Sequence, residues 1–333
     1  MIHIPNPNHD PALNLAAEEY ILTSSGIRDR VLFFYINDPS VIIGRHQNTA
    51  DEIDTDLVRA NGISIVRRSS GGGAVYHDRG NLNYSLITPG DPKAAADFST
   101  LLEPILEALH ELGIPAELTG RNDLTLNGKK FSGNAYYHNR SGSVVHGTLL
   151  FDSDLGMLTK VLRPDPEKLS SKGIRSVRSR VCCLGEILPE IRDTEALQAA
   201  ILDHFLRNYE VKIRDFSEKD MEHIRALADN RYRNNTWTYG ESPAYSLRKT
   251  FRRTSGRIDF RAEIRDGMLL STRFFGDYFT SGDIEALEEA LSGKEWTPET
   301  ITAVLAGAGW DECFPDFSRD EFIEAVFSSP GYA

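Results

Sequence analysis

Between Arg67 and Leu86 the chain reads "RRSSGGGAVYHDRGNLNYSL", with a strand-like pattern on each side of three consecutive glycines. Such a run costs backbone entropy on folding and brings no side chain to pack. It therefore reads as an ordered loop with a task other than stability. Glycines let successive N–H groups turn toward one point and make a nest for phosphate or carboxylate oxygens. Arg67 and Arg68 stand at the entrance, where one guanidinium can pair with an anion bidentately. Both common nucleotide fingerprints fail. No lysine follows the glycines as in Gly-x4-Gly-Lys-Ser/Thr, and the loop leads into an alternating strand pattern instead of opening a helix.

The surrounding pattern mixes strands and helices. Asp10 is a capping residue, Pro11 suits the first helical position, and Leu13, Ala16, Ala17, Tyr20 and Ile21 form an apolar stripe. Val31 to Ile36, Ser40 to Ile43 and Ile63 to Arg67 read as strands, and Asn81 to Ile87 alternates with Leu82, Tyr84 and Leu86 on one face. A helix is expected over Phe98 to Leu112, kinked by Pro104. Asn127-Gly128 predicts a two-residue hairpin that starts a returning strand at Lys129, Lys130 and Phe131. A second hairpin turns at Arg140 to Ser143. The long polar segment Asp152 to Ser179 reads as a loop or lid over a site. Helices are expected near Thr194 to Arg207 and Ser217 to Asp229. From about Ser246 the composition turns basic, with a hairpin at Asp266-Gly267, and three acidic helical patterns follow at 284–291, 298–306 and 319–327. The boundary is placed to give domains 1–246 and 247–333.

The whole chain narrows the function classes. A formal net charge of −12 opposes broad binding to nucleic acid or anionic membranes. The longest apolar run, Val31 to Ile36, is far short of a membrane span, and no secretory signal is visible. Three cysteines, two of them adjacent, make no disulfide framework and fit a reducing cytoplasm. The nine histidines show no paired spacing such as His-x3-His, so a metal hydrolase is disfavoured. A monomer with no nucleic-acid and no membrane partner is expected.

Four stretches taken together, "RRSSGGGAVYHDRGNLNYSL", "GRNDLTLNGKKFSGNAYY", "HGTLLF" and "KGIRSVRSRV", resemble the lipoate–protein ligase A family in this order. The resemblance spans most of residues 30 to 182. It implies an α/β (α+β) fold: a biotin/lipoate ligase-like catalytic domain with a mixed, mainly antiparallel sheet, and a small C-terminal α+β accessory domain. It implies ATP-dependent activation of lipoate, or of octanoate, to an acyl-adenylate, with Mg²⁺ present. The acyl group then passes to a specific lysine of apo lipoyl domains in 2-oxoacid dehydrogenase complexes, or of the glycine-cleavage H protein. By the same resemblance Arg68, Gly73, Ala74, Val75 and Tyr76 form the nucleotide loop. Lys130 is the catalytic lysine contacting both lipoate and the α-phosphate, and it forms no covalent intermediate. Asn122 and Asp123 serve the nucleotide, with Asp123 as the Mg²⁺ ligand. Ser70, Gly71, Gly72, His77 and His146 surround lipoate, although His146, in a strand, also reads as structural. The segment Ser170 to Val181, with Lys172, Arg175, Arg178 and Arg180, covers the adenylate.

Two alternatives stay open at this stage. A related octanoyltransferase would work through a cysteine thioester, for which Cys182 and Cys183 are the candidates. A non-catalytic binder of lipoate, biotin or nucleotide would keep the fold without the chemistry.

Overall fold

The first helix, α1 (Pro11–Thr23), starts as its sequence requires: the Asp10 carboxylate accepts the Ala12 and Leu13 N–H groups, with proline in the first turn. In this computed structural model residues 1–90, 98–120, 122–162, 180–239 and 246–327 are described. They form two units. One comprises Met1–Ile43, Thr49–Ser69 and Ala74–Thr238; the other comprises Gly44–Asn48, Ser70–Gly73 and Tyr239–Ala333.

The first unit is built on a mixed sheet. Its strands are β1 (Ile2–Ile4), β2 (Val31–Ile36), β6 (Asn81–Pro89), β7 (Glu117–Thr119), β8 (Asp123–Leu126), β9 (Lys129–Asn139), β10 (Gly142–Leu150) and β11 (Lys212–Ile213). They lie in the order β11-β1-β2-β6-β10-β9-β8-β7. Only the β11/β1 and β1/β2 pairs are parallel. A separate small sheet, β4-β3-β5, is made by β3 (Ser40–Ile43), β4 (Ser64–Arg67) and β5 (Val75–His77). Leu82, Tyr84 and Leu86 do share one face, packed with the helices Phe98–Glu111 and Thr194–Asn208. The opposite face meets α1 through Phe33, Tyr35, Ile87 and Val144. Both faces of the sheet are thus covered, and the polar residues Asn83 and Ser85 are as buried as their apolar neighbours.

The hairpin expectations hold. Asn127 and Gly128 both take positive φ, 51° and 74°, as do Asp266 and Gly267 at 51° and 75°; left-handed backbone at both turn positions matches the strand twist. In the second unit β12 (Leu247–Arg253), β13 (Gly256–Arg265), β14 (Met268–Gly276) and β15 (Lys294–Glu295) form an antiparallel sheet. The helices Ile284–Leu291, Pro298–Gly307 and Arg319–Phe327 close over the sheet, their residues sharing a core with Phe260, Phe274 and Trp310. Among the described residues no helix is long and apolar enough to cross a membrane.

Candidate active site

Lys130 is the second residue of β9, two past Gly128 of the Asn-Gly turn, and its Nζ lies 2.7 Å from Asp123 Oδ1. Both side chains are about 40 % exposed (40 % and 39 %), so the pair contributes little to stability and stays open to a ligand. A Cβ built on Gly133 would sit 3.1 Å from Lys130 Nζ. The amine therefore occupies the space a side chain at Gly133 would fill. Strand alternation puts Gly133, Ala135 and Tyr137 on one face of β9, and Ala135 stands directly opposite His146.

That face carries a buried polar cluster. His146 pairs with Ser85, and Ser85 with Phe33, across three strands. From α1 the Glu18 carboxylate, 2 % exposed, accepts from the Ser85 hydroxyl and lies 2.9 Å from His146 Nδ1. Beside it the buried Arg68 guanidinium donates to the Ile42 carbonyl at 3.2 Å. Burial pushes Arg68 down to about 10, with the neighbouring Tyr35 and Glu18 working against the shift; it remains a cation at neutral pH. His77, on β5, is driven down to about 3, first by burial and then by the charges of Arg68 and His146. Its ring is neutral in the folded protein. On the other side of β9, Asn122 and Asn134 exchange hydrogen bonds, and the Tyr84 hydroxyl donates to Asn134 Oδ1. Asn122 thus braces the strand that carries Lys130. Cys182 N–H donates to the Lys130 carbonyl at 2.9 Å, which tethers the chain after the segment 163–179 to the same strand.

The glycine loop divides. Ser70 to Gly73 belong to the second unit, where Gly72 alone has positive φ, 93°. Its N–H faces the Tyr278 carbonyl at 3.4 Å. A Cβ on Gly71 would come 2.5 Å from that same oxygen, whereas one on Gly73 would meet nothing within 4 Å. Gly71 thus needs glycine for space and Gly72 for its φ, whereas neither applies at Gly73. Ala74 follows them, and Val75 and Tyr76 pair with β3, Tyr76 buried with its hydroxyl pushed to about 12, mainly by burial.

Of the two arginines at the loop entrance, Arg67 is committed to the fold. Its guanidinium donates to the Trp237 and Thr238 carbonyls at 2.9 and 2.7 Å and to Thr49 Oγ1 at 2.9 Å, so it serves the fold and Arg68 is left as the loop-entrance cation. The expected lid residues Lys172, Arg175 and Arg178 lie outside the described residues, while Arg180 is exposed. Glu18, Asn14, Asn37 and Ser85 were not foreseen. The signal was present for Glu18 and Asn14, which fall one turn apart among the apolar buried residues of α1. Cys182 and Cys183 are buried thiols, and burial raises both, Cys183 to about 11. Among the described residues no cluster of three His, Cys, Asp or Glu side chains could hold a metal.

The chain belongs to the lipoyl protein ligase A/B family: the profile of its catalytic domain matches residues 10–206, and that of the bacterial lipoate protein ligase C-terminus matches 242–326. It is 40 % identical to lipoate-protein ligase LplJ of Bacillus subtilis, over 98 % of this chain and 100 % of that one. It is 39 % identical to lipoate–protein ligase 1 of Staphylococcus aureus, over 95 % and 97 %. Among solved structures, lipoate-protein ligase A bound with ATP superposes with a TM-score of 0.59 at 28 % identity, covering 72 % of this chain and 98 % of that chain. Plasmodium falciparum LipL1 in complex with lipoate shares the fold over 98 % of both chains, with a TM-score of 0.78 at 23 % identity.

Proposed function

We propose that this protein is an ATP-dependent lipoate–protein ligase, with a catalytic domain over 1–246 and an accessory domain over 247–333. The observation that carries the reading is the Lys130 amine, ion-paired to Asp123 and seated over Gly133, at the head of a row of small residues that ends at the buried Glu18–His146 pair. An acyl chain lying along Gly133 and Ala135 would present its carboxylate to Lys130. That cation neutralises two anions that must meet, the carboxylate and the α-phosphate. A carboxylate oxygen attacks the α-phosphorus and pyrophosphate leaves; the acceptor lysine amine then attacks the acyl carbonyl and AMP leaves.

In this reading Arg68 and the backbone from Gly73 through Ala74, Val75 and Tyr76 serve the nucleotide, and Ser70, Gly71, Gly72, His77 and His146 serve lipoate. Asp123 would be the protein carboxylate to hold a Mg²⁺ brought with ATP, and that ion would offset phosphate charge. Apo lipoyl domains and the glycine-cleavage H protein are the acceptors, octanoate is a second acyl substrate, and the work is done in the cytoplasm by a monomer. The buried thiols at Cys182 and Cys183, raised by burial, are poor nucleophiles and speak against the transferase alternative. Purified protein with ATP, Mg²⁺, lipoate and an apo lipoyl domain should add a lipoyl mass to the acceptor, only when ATP is present. Lys130→Ala should slow this by roughly 10²–10³. Acylation from octanoyl carrier protein without ATP would reverse the assignment.

A further inference from the structure

A chain of amides fixes the hydrogens of His77. Asn14 Nδ2 donates to the Asn8 backbone carbonyl at 3.2 Å, and because a carbonyl can only accept, the orientation of Asn14 is set. The same Nδ2 donates to Asn37 Oδ1 at 2.8 Å. That leaves Asn37 Nδ2 facing His77 Nδ1 at 2.9 Å, so Asn37 donates and Nδ1 accepts. A neutral imidazole with an accepting Nδ1 carries its proton on Nε2. His77 is 4 % exposed, and its Nε2 has no partner among the described residues. A buried donor without an acceptor is costly, and here an ordered relay of two asparagines holds it in that condition.

Where this donor lies says what it could meet. His77 is tied through Asn37 to Asn14 on α1, one helical turn before Glu18, whose carboxylate lies 2.9 Å from His146 Nδ1. His146 stands opposite Ala135, two residues beyond Gly133 and its overlying Lys130 amine. Two residues of β9 span about 7 Å, and one strand spacing adds about 5 Å across the sheet. A carboxylate held at Lys130 thus leaves the far end of an eight-carbon acyl chain, not its carboxyl group, in the neighbourhood of His77.

We propose that the Nε2–H of His77 is a donor reserved for the distal, sulfur-bearing end of the acyl substrate, with Asn37 and Asn14 as the residues that position it. This rests on the ligase reading for the identity of the substrate. A dithiolane sulfur is a weak acceptor but an acceptor, whereas the methylene tail of octanoate offers none. A site with a fixed donor penalises the analogue that leaves it unsatisfied. His77 therefore discriminates between two acids that share a carboxylate and a chain length.

The test uses the full-length protein with lipoate and octanoate as probes. Long-range ¹H–¹⁵N spectra of histidine-labelled protein, assigned with His77→Gln, should show His77 as the neutral Nε2–H tautomer. Lipoate should shift that signal and octanoate should not. By calorimetry the preference for lipoate over octanoate should fall about three- to tenfold in His77→Leu. It should be largely kept in His77→Gln, whose amide nitrogen reaches the Nε2 position, and weakened in Asn37→Leu. An Nδ1–H tautomer in the wild-type protein overturns the proposal without any variant having to fold. Equal loss of both acids in His77→Leu also overturns it, because the donor then serves the carboxylate or the fold. Unchanged selectivity with intact ATP-dependent lipoylation rejects this proposal alone, while failure of the wild type to bind either acid rejects the ligase reading with it.

Discussion

The three glycines at 71–73 should respond differently to the same substitution, and the difference can be worked from the backbone. Gly73→Ala places a methyl group in open space at a φ outside the left-handed region. Its main thermodynamic effect is to restrict the unfolded chain, a gain of ~0.4–1 kcal/mol. Gly72→Ala forces an L-residue to φ 93°, at a cost of roughly 1–2 kcal/mol. Gly71→Ala drives Cβ to within 2.5 Å of the Tyr278 carbonyl oxygen, a backbone atom that cannot rotate away; overpacking of this kind costs about 1–3 kcal/mol. At roughly 2–4 °C per kcal/mol, calorimetry should place Gly73→Ala above the wild type and the other two several degrees below it. Gly72→Asn should recover part of the loss, since asparagine tolerates positive φ better than alanine does. Activity separates what stability cannot: if the open side of Gly73 is where a phosphate approaches the backbone, the stabilised variant should lose ATP-dependent lipoylation. Equal stability of all three variants would refute the reasoning, as would Gly73→Ala being the least stable.

Four further outcomes are expected. Asp123→Asn should change thermal stability by less than ~0.5 kcal/mol, because the pair with Lys130 is solvent-accessible, yet slow adenylation measured by pyrophosphate release. Gly133→Ala should do the same for a steric reason, its Cβ arriving 3.1 Å from the Lys130 amine, and circular dichroism should show an unchanged fold. The His77 value near 3 lies below the 6.5 of an exposed imidazole, so the unfolded chain binds more protons between those limits and stability falls as pH drops through that window. The slope can reach ~1.4 kcal/mol per pH unit, and acid denaturation of His77→Gln should be measurably flatter; an identical slope would mean His77 is not buried neutral. Thiol titration of the native protein near pH 8 should find no fast-reacting cysteine, since burial raises Cys183 to about 11 and Cys313 to about 12, and a Cys182→Ala, Cys183→Ala protein should keep its ligase activity.

Local chemistry was readable from the sequence wherever it acts over a few residues. Asp10 caps the first helix, Asn127-Gly128 and Asp266-Gly267 make the turns their φ values require, and the basic hairpin lies in a four-stranded sheet separate from the large one. What escaped depends on partners far apart in the chain. Arg67 looks like a solvated cation at a loop mouth, but its acceptors are carbonyls 170 and 171 residues away. Nor does any local signal place β3 outside the large sheet although β2 lies within it, because strand partners are chosen by tertiary packing. The alternation in "NLNYSLI" correctly assigns Leu82, Tyr84 and Leu86 to one face. It does not say that the polar face is buried too, under α1.

That second buried face explains why α1 is more than a covering helix. Asn14 and Glu18 are four residues apart, one turn of the same helix, so their side chains leave it on the same side. Asn14 begins the relay that ends at His77, and Glu18 holds His146. The two histidines come from different sheets, β5 in the small one and β10 in the large one. A single rigid helix therefore registers the small sheet against the large one and sets the hydrogen-bond state of both imidazoles. Each asparagine or glutamate on that buried side costs packing that alanine or leucine would have provided. Such polar residues are satisfied here by partners that only the complete fold supplies, which is why they look like mistakes in the helix pattern and like design in the structure.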